Sequence, residues 1–189
     1  TVRLVDLLDR AVERAAVVVA GKNSQLTGDE LAERARQVGI AAVKYADLST
    51  SRARDYAFDV DRMVSLTGDT GVYLQYAHAR IHSIGKKASE LGVTRADLAT
   101  VDLSPLTHER EIELLRTLST LPEVVELACN DRAPHKVTAW VRELADRFHG
   151  FYHDCRILGE DVPAETTQAR LWLVEASRIG FAVALDAEV

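Results

Sequence analysis

The sequence lacks any long apolar run and has few cysteines. None of its hydrophobic stretches approaches the ~20 residues that a membrane-spanning helix needs. Residues 15–20, the most apolar early stretch, are too short for the core of a signal peptide and follow no basic leader. The two cysteines, Cys129 and Cys155, are too few for a disulfide framework. We therefore expect a reduced, cytoplasmic protein without a membrane segment.

Positive charge is outnumbered, because 23 Lys and Arg stand against 29 Asp and Glu and give the 189 residues a net charge of −6. This balance argues against a generally basic nucleic-acid binder. The segment 34–95 is the exception, with ten Lys/Arg against six Asp/Glu, a local charge of +4. A positive segment on an acidic chain indicates a local surface for phosphate groups, but charge also fluctuates along any chain. Composition alone leaves both readings open.

Hydrophobic residues recur at spacings of three and four nearly throughout, which predicts an all-α helical bundle. Thr27 and Glu30 form a capping-box pattern that opens a short helix. Gly39 is expected to end it, and a second short helix is expected over residues 40–47. Residues 49–58 are polar and least periodic, so they predict a loop with room for one short strand.

A long central helix is predicted from Thr70 to about Gly92, with later helices over residues 109–117 and after three prolines. Proline suits the first turn of a helix because its missing N–H has no partner there in any case. The three prolines that mark these predicted starts are Pro122, Pro134 and Pro163.

A polar row runs beside the apolar seam of the central helix. Its members are spaced 3, 4, 3 and 4 and therefore share one helix face. Tyrosine rings can stack on unpaired bases, and arginine and lysine can meet phosphates, so this face suits single-stranded nucleic acid. The alternative is a packing stripe, in which Arg80 forms an ion pair with an acidic side chain and the tyrosines contact a neighbouring helix. The row comprises Tyr73, Tyr76, Arg80, Ser83 and Lys87.

The stretch FDVDRMVSLTGDTGVYLQYAHARIHSIGKKA contains these residues, and it resembles the arginyl-tRNA synthetase family. That family has a Phe-Asp-x-Asp-Arg-Met run followed by Gly-x-Thr-x-x-Tyr-Leu-Gln-Tyr-x-His-x-Arg. Further along, PHKVTAWVRELADRFHGFYHDCRIL and ARLWLVEASRIG are similar to the family's helical, DALR-type anticodon-binding domain. The resemblance extends over nearly the whole chain.

The resemblance implies a role in binding the tRNA for arginine. In the family, the two motif tyrosines and the motif arginine face the anticodon loop, which corresponds here to the tyrosines and arginine of the polar row. The aromatic residue of the family's Phe-Tyr-x-x-Cys segment corresponds to Tyr152. The expected tRNA-binding residues are Tyr73, Gln75, Tyr76, His78, Arg80, Lys86, Lys87 and Tyr152.

The family's two ATP-handling signatures, His-x-Gly-His and Lys-Met-Ser-Lys-Ser, are not in this sequence. We therefore expect a C-terminal part of a class I arginine–tRNA ligase that is inactive alone, with no catalytic residue and no cofactor. The resemblance implies ATP and Mg²⁺ for the full enzyme. It implies a stem-contacting segment over residues 1–92 and the anticodon-binding bundle over 104–189. Expected partners are the tRNA and the enzyme's catalytic domain, and neither DNA nor a membrane.

Two alternatives to this interpretation follow from the sequence. One is a free-standing paralogue of the anticodon-binding domain that serves as a tRNA- or protein-interaction module. The other is metal binding by two histidine pairs at i, i+4 spacing, His78 with His82 and His149 with His153. A structural zinc site needs four ligands, and no further Cys/His cluster has suitable spacing, so we predict no metal site.

Overall fold

A computed structural model describes residues 3–186, which contain eight α-helices and no strand. The predicted all-α class is confirmed. No helix in this part of the chain combines the length and the hydropathy needed to cross a bilayer. The helices are α1 Leu4–Lys22, α2 Gly28–Leu48, α3 Val60–Met63, α4 Gly71–Glu90, α5 Glu109–Ser119, α6 Leu121–Asp131, α7 His135–Asp154 and α8 Ala164–Asp186.

The chain divides into two compact units, and the boundary lies inside α4 between Tyr76 and Ala77. The expected functional segments, 1–92 and 104–189, were defined by contact with tRNA rather than by compactness, and they stay a prediction.

In the first unit, α1 packs closely on α2 through small residues. Ala11 and Ala15 on α1 and Ala35 and Ala42 on α2 are at most 1% exposed. At Gly39 an added Cβ would lie only 2.7 Å from the Cα of Val12, so the glycine permits the approach of two backbones. The predicted helix break at Gly39 is therefore wrong: α2 runs unbroken from Gly28 to Leu48.

Residues 49–58 form a loop, as predicted, without the short strand for which the prediction left room, and the short helix α3 follows. The side chain of Asp59 caps α3 by accepting a hydrogen bond from the backbone N–H of Arg62 at 3.1 Å. Thr70 then starts α4 as predicted. Its buried hydroxyl accepts from the N–H of Tyr73 at 3.1 Å and donates to the carbonyl of Ser65 at 2.7 Å.

The core of the second unit is built around α7, which packs on α5, α6 and α8. Phe148 and Phe151 on α7 and Phe181 on α8 are fully buried. The indole N–H of Trp140 donates to the carbonyl of Thr117 at 2.9 Å, so this tryptophan is a core anchor. The helices α6, α7 and α8 begin next to the three prolines that predicted them.

A buried ion pair fixes α5 to α8 in this unit. The carboxylate of Glu111 is fully buried and accepts a hydrogen bond from the guanidinium of Arg170 at 2.6 Å. A second guanidinium nitrogen of Arg170 donates to the carbonyl of Arg156, also at 2.6 Å. Because every charged group here has a partner, the network holds the end of α7 and the following turn in place.

Candidate nucleic-acid interface

The predicted polar row of α4 is accessible at the surface. Tyr76 is 45% exposed, and Tyr73 and Arg80 are partly exposed. Ser83 and Lys87, further along the helix, are exposed. None of the five side chains is sealed in the core, which is the condition that a nucleic-acid-binding face has to meet.

Arg80 is held in place by an aromatic side chain from α7. Its guanidinium carbon lies 4.7 Å from the ring centroid of Tyr152, within the range of a cation–π contact. The Tyr152 ring is in turn inclined by only 24° to the ring of Phe148, with centroids 6.5 Å apart. Since Phe148 is fully buried, a stack leads from the core to the surface and orients the guanidinium before any ligand arrives.

A groove of about 340 Å³ lies beside this stack. Ser83 and Lys87 of α4 form one side, and Tyr152, Arg156 and Leu158 contribute to the other. The guanidinium of Arg156 is paired with Asp161 at 2.8 Å, whereas the ammonium of Lys87 is directed by the helix towards solvent. The groove therefore combines an aromatic ring, an apolar side and a cation, which are the groups that hold an unpaired nucleotide.

His149 contributes to the electrostatics of this face. Burial lowers the pKa of His149, and the positive charge of Arg80 lowers that pKa further. Asp146 acts in the opposite direction with a smaller effect. The imidazole is consequently neutral near pH 7, and Arg80 has no second positive charge beside it on α7.

His78 lies elsewhere on α4 and is partly buried. Its ring makes an edge-to-face contact with His82, at 4.7 Å between centroids, and lies 6.3 Å from the ring of Phe181. Its Nε2 atom is buried and has no hydrogen-bond partner within residues 3–186. Burial is the main cause that lowers the pKa of His78, followed by the charges of His82 and Arg178. A direct tRNA contact by His78 stays a prediction.

The two lysines of the sequence IGKK are directed to different sides of α4. Lys87 shares the groove of Tyr152, whereas Lys86 lines a second groove with His82 and Gly85. Gln75 is partly exposed, and successive residues rotate by about 100° around a helix, which places it away from Arg80 as well. The structure thus brings Arg80, Lys87 and Tyr152 together and separates Lys86 from them.

Sequence reasoning missed Arg156 and Phe148. Arg156 lines the groove, and it stands four residues after Tyr152 in the segment FYHDCRIL, so its basic charge next to a family motif was a usable signal. Phe148 precedes Tyr152 by four residues, which is the spacing of neighbours on a helix face. No local sequence pattern predicts the contact of Tyr152 with Arg80, because 72 residues separate them in the sequence.

Metal ligands do not cluster in the described part of the chain. Within residues 3–186 there is no group of three or more His, Cys, Asp or Glu side chains that could hold a metal ion. Cys129 is exposed and Cys155 is buried, and both are free thiols. Burial raises the pKa of the Cys155 thiol to about 11, so this thiol is protonated and unreactive near neutral pH.

The helical architecture places the chain in a recognised class. The structure superposes on Thermus thermophilus arginyl-tRNA synthetase with a TM-score of 0.84 and 29% sequence identity, covering 100% of this chain and 31% of that one. Arginyl-tRNA synthetase from Plasmodium falciparum has the same fold, with a TM-score of 0.83 at 24% identity and 99% and 32% coverage. The fold is thus a helical bundle of the class I synthetase anticodon-binding type.

The particular family follows from sequence comparison. The chain belongs to the family described as the DALR anticodon binding domain, which matches residues 74–187. Residues 1–60 match the family described as tRNA synthetases class I (R), catalytic domain. These matches confirm the resemblance that the motifs indicated.

Curated relatives agree with the family. The arginine–tRNA ligase of Streptomyces coelicolor is 51% identical over 176 residues, 93% of this chain and 29% of that protein. The arginine–tRNA ligase of Serratia proteamaculans is 42% identical over 186 residues, 98% of this chain and 31% of the relative. The chain therefore spans about 30% of the length of these relatives.

Proposed function

We propose that this chain binds the tRNA for arginine and contacts its anticodon loop through the polar row of α4. The relatives named as arginine–tRNA ligases and the family description support a tRNA ligand. The observation that carries the proposal is the stack of Arg80 on Tyr152, because it prepares a cation and a ring at one surface position.

The chemistry of the interface follows from its side chains. Unpaired anticodon bases can stack on the exposed tyrosine rings, and each such stack is worth about 1–3 kcal/mol. The guanidinium of Arg80 offers a flat face for stacking and N–H donors for a phosphate or a base edge. Because Tyr152 already orders Arg80, less conformational entropy is lost when the RNA binds.

The first unit supplies a second part of the proposal, contact with the tRNA stem. Several of its cations, among them Lys44, Arg54 and Arg62, are exposed and have no ion-pair partner within residues 3–186. Such cations can neutralise backbone phosphates without reading the base sequence. This arrangement supports the expected stem-contacting role of residues 1–92.

The ligase reaction is part of this proposal only because the relatives are named as arginine–tRNA ligases. Attachment of arginine to tRNA with ATP and Mg²⁺ would require the rest of the catalytic domain, since residues 1–60 match the family of that description. Within residues 3–186 no group of three or more candidate metal ligands lies together. The role proposed for the chain is to orient the tRNA.

Filter retention of labelled tRNA tests the proposal. We expect the full chain to retain the tRNA for arginine more tightly than a non-cognate tRNA. Arg80→Ala should weaken binding by about 1.5–3 kcal/mol, the range of a hydrogen bond to a charged group, or tenfold or more in Kd. Arg116→Ala is the matched control, because Arg116 is an exposed arginine on α5.

Two results would contradict the proposal. Equal retention of cognate and non-cognate tRNA would remove the anticodon role. Equal Kd values for Arg80→Ala, Arg116→Ala and the unaltered chain would reduce the polar row to a packing feature.

A further inference from the structure

We propose that a second groove, on the opposite flank of α4, binds the phosphodiester backbone of the same tRNA. This inference rests on the proposed function. The groove has a volume of about 420 Å³ and lies within the second unit. Gly85 lines it, and at about 100° per residue Gly85 is rotated by about 140° from Arg80 around the helix. The central helix would thus contact RNA along two sides.

The outer wall of the groove is a rigid segment without helical structure. The side-chain amide of Gln168 on α8 accepts from the N–H of Ala96 at 2.7 Å and donates to the carbonyl of Thr94 at 3.0 Å. The indole N–H of Trp172 donates to the carbonyl of Ala96 at 3.0 Å. Arg95 lies over the Trp172 ring, 4.4 Å from its centroid. These contacts fix the wall in the absence of a ligand.

The charge of the groove favours an anion. Its lining includes three permanent cations, Lys86, Arg95 and Arg178, against the single carboxylate of Glu175. Glu175 bridges two of them, at 3.0 Å to Arg95 and 2.8 Å to Arg178, and so positions their guanidinium groups. The side chain of Lys86 is 80% exposed, and its nearest acid, Glu90, is 3.9 Å away. In a chain of net charge −6, this local excess of cations matches the phosphates of RNA.

Gly85 leaves the backbone of α4 accessible at the floor of the groove. Glycine in a helix interior costs about 1 kcal/mol relative to alanine. Packing does not require it, because a Cβ at Gly85 would meet nothing within 4 Å. The glycine keeps the floor of the groove open, so a sugar-phosphate strand can reach the backbone of α4 between Lys86 and Arg95.

The experiment is tRNA filter retention across a series of KCl concentrations, using the full chain. Gly85→Leu fills the groove with a good helix former, so its melting temperature should be unchanged or higher while Kd rises about tenfold, the loss of one charge-assisted contact. Lys86→Gln should lower the slope of log Kd against log[KCl] by about 1. Gly21→Leu is the matched control, since Gly21 is an exposed helical glycine that also has open space around it.

The outcomes separate this inference from the function on which it rests. If Arg80→Ala weakens binding while Gly85→Leu and Lys86→Gln bind like the unaltered chain, the groove proposal alone is overturned. If the unaltered chain retains no tRNA, both proposals fail. If Gly85→Leu abolishes binding of poly-L-glutamate and leaves tRNA binding unchanged, the groove serves an acidic protein instead, and the RNA proposal is overturned.

Discussion

Arg80 is the side chain on which the proposed binding role depends most. Its spacing from Tyr73 and Tyr76 placed it on the polar row, and the structure adds the Tyr152 ring on which it lies. Two effects lower the pKa of His149 beside it: burial disfavours the charged imidazole, and the guanidinium of Arg80 would repel it. An arginine whose guanidinium is ordered at the surface is suited to meet a phosphate or a base.

Two half-buried histidines make stability depend on pH. The pKa values of His78 and His149 lie below their ordinary value of 6.5, mainly because of burial. The unfolded chain therefore binds protons more readily than the folded chain as the pH falls below about 6.5. The pKa values of Asp154 and Glu175 are lowered by hydrogen bonds, and the stability that they contribute is lost only below their ordinary values of 3.8 and 4.5.

We therefore expect the melting temperature to fall between pH 7 and pH 5, before the carboxylates titrate. His78→Gln removes one of the two groups, so its melting temperature should fall less over this interval. Thermal melts monitored by circular dichroism give the comparison. The same drop in His78→Gln as in the unaltered chain would show that His78 is not responsible.

Among the elements, α2 shows where local sequence signals are ambiguous. Glycine ends many helices, but it also allows two helices to approach closely, and the sequence near Gly39 fits both roles. The structure selects the second, with the backbone of Val12 next to the glycine. The position of α1 decides which of the two roles Gly39 has, and that position cannot be predicted from the local sequence around the glycine.

Gly39→Ala should destabilise the protein by about 1–3 kcal/mol, the usual cost of an overpacked core, although alanine is the better helix former. Its Cβ would lie 2.7 Å from backbone atoms of Val12, which have little freedom to move. Gly21→Ala, where the added Cβ meets nothing, should instead be neutral or stabilising. Urea unfolding of both variants measures the difference. A Gly39→Ala variant as stable as the parent would mean that α1 and α2 are not packed as described.

The fold and the site differ in how far the sequence predicts them. Helical periodicity and the three prolines located α4, α6, α7 and α8, since these signals lie within each element, whereas α2 was predicted as two short helices. Tyr73, Tyr76 and Arg80 could also be assigned to one face from their spacing. Two features could not be predicted from the sequence: the stack of Arg80 on Tyr152, and the separation of Lys86 from Lys87. Each depends on which distant helix packs beside α4.

For the molecule as a whole, the distribution of charge matters more than its sum. The net charge of −6 would repel RNA, yet cations lie in both grooves beside α4 and on the surface of the first unit. In the proposed complex, the acidic remainder would restrict RNA to these surfaces, because phosphates elsewhere would meet like charge. The relatives, more than three times as long, carry the name of a ligase, and the proposed contribution of this chain is tRNA recognition.

Nuclease footprinting of the tRNA for arginine, with and without the full chain, is the most direct test of the central proposal. We predict that the anticodon-loop nucleotides are protected, and that Arg80→Ala removes this protection while Arg116→Ala keeps it. Protection confined to other parts of the tRNA, with the anticodon loop cut as in free RNA, would contradict the account.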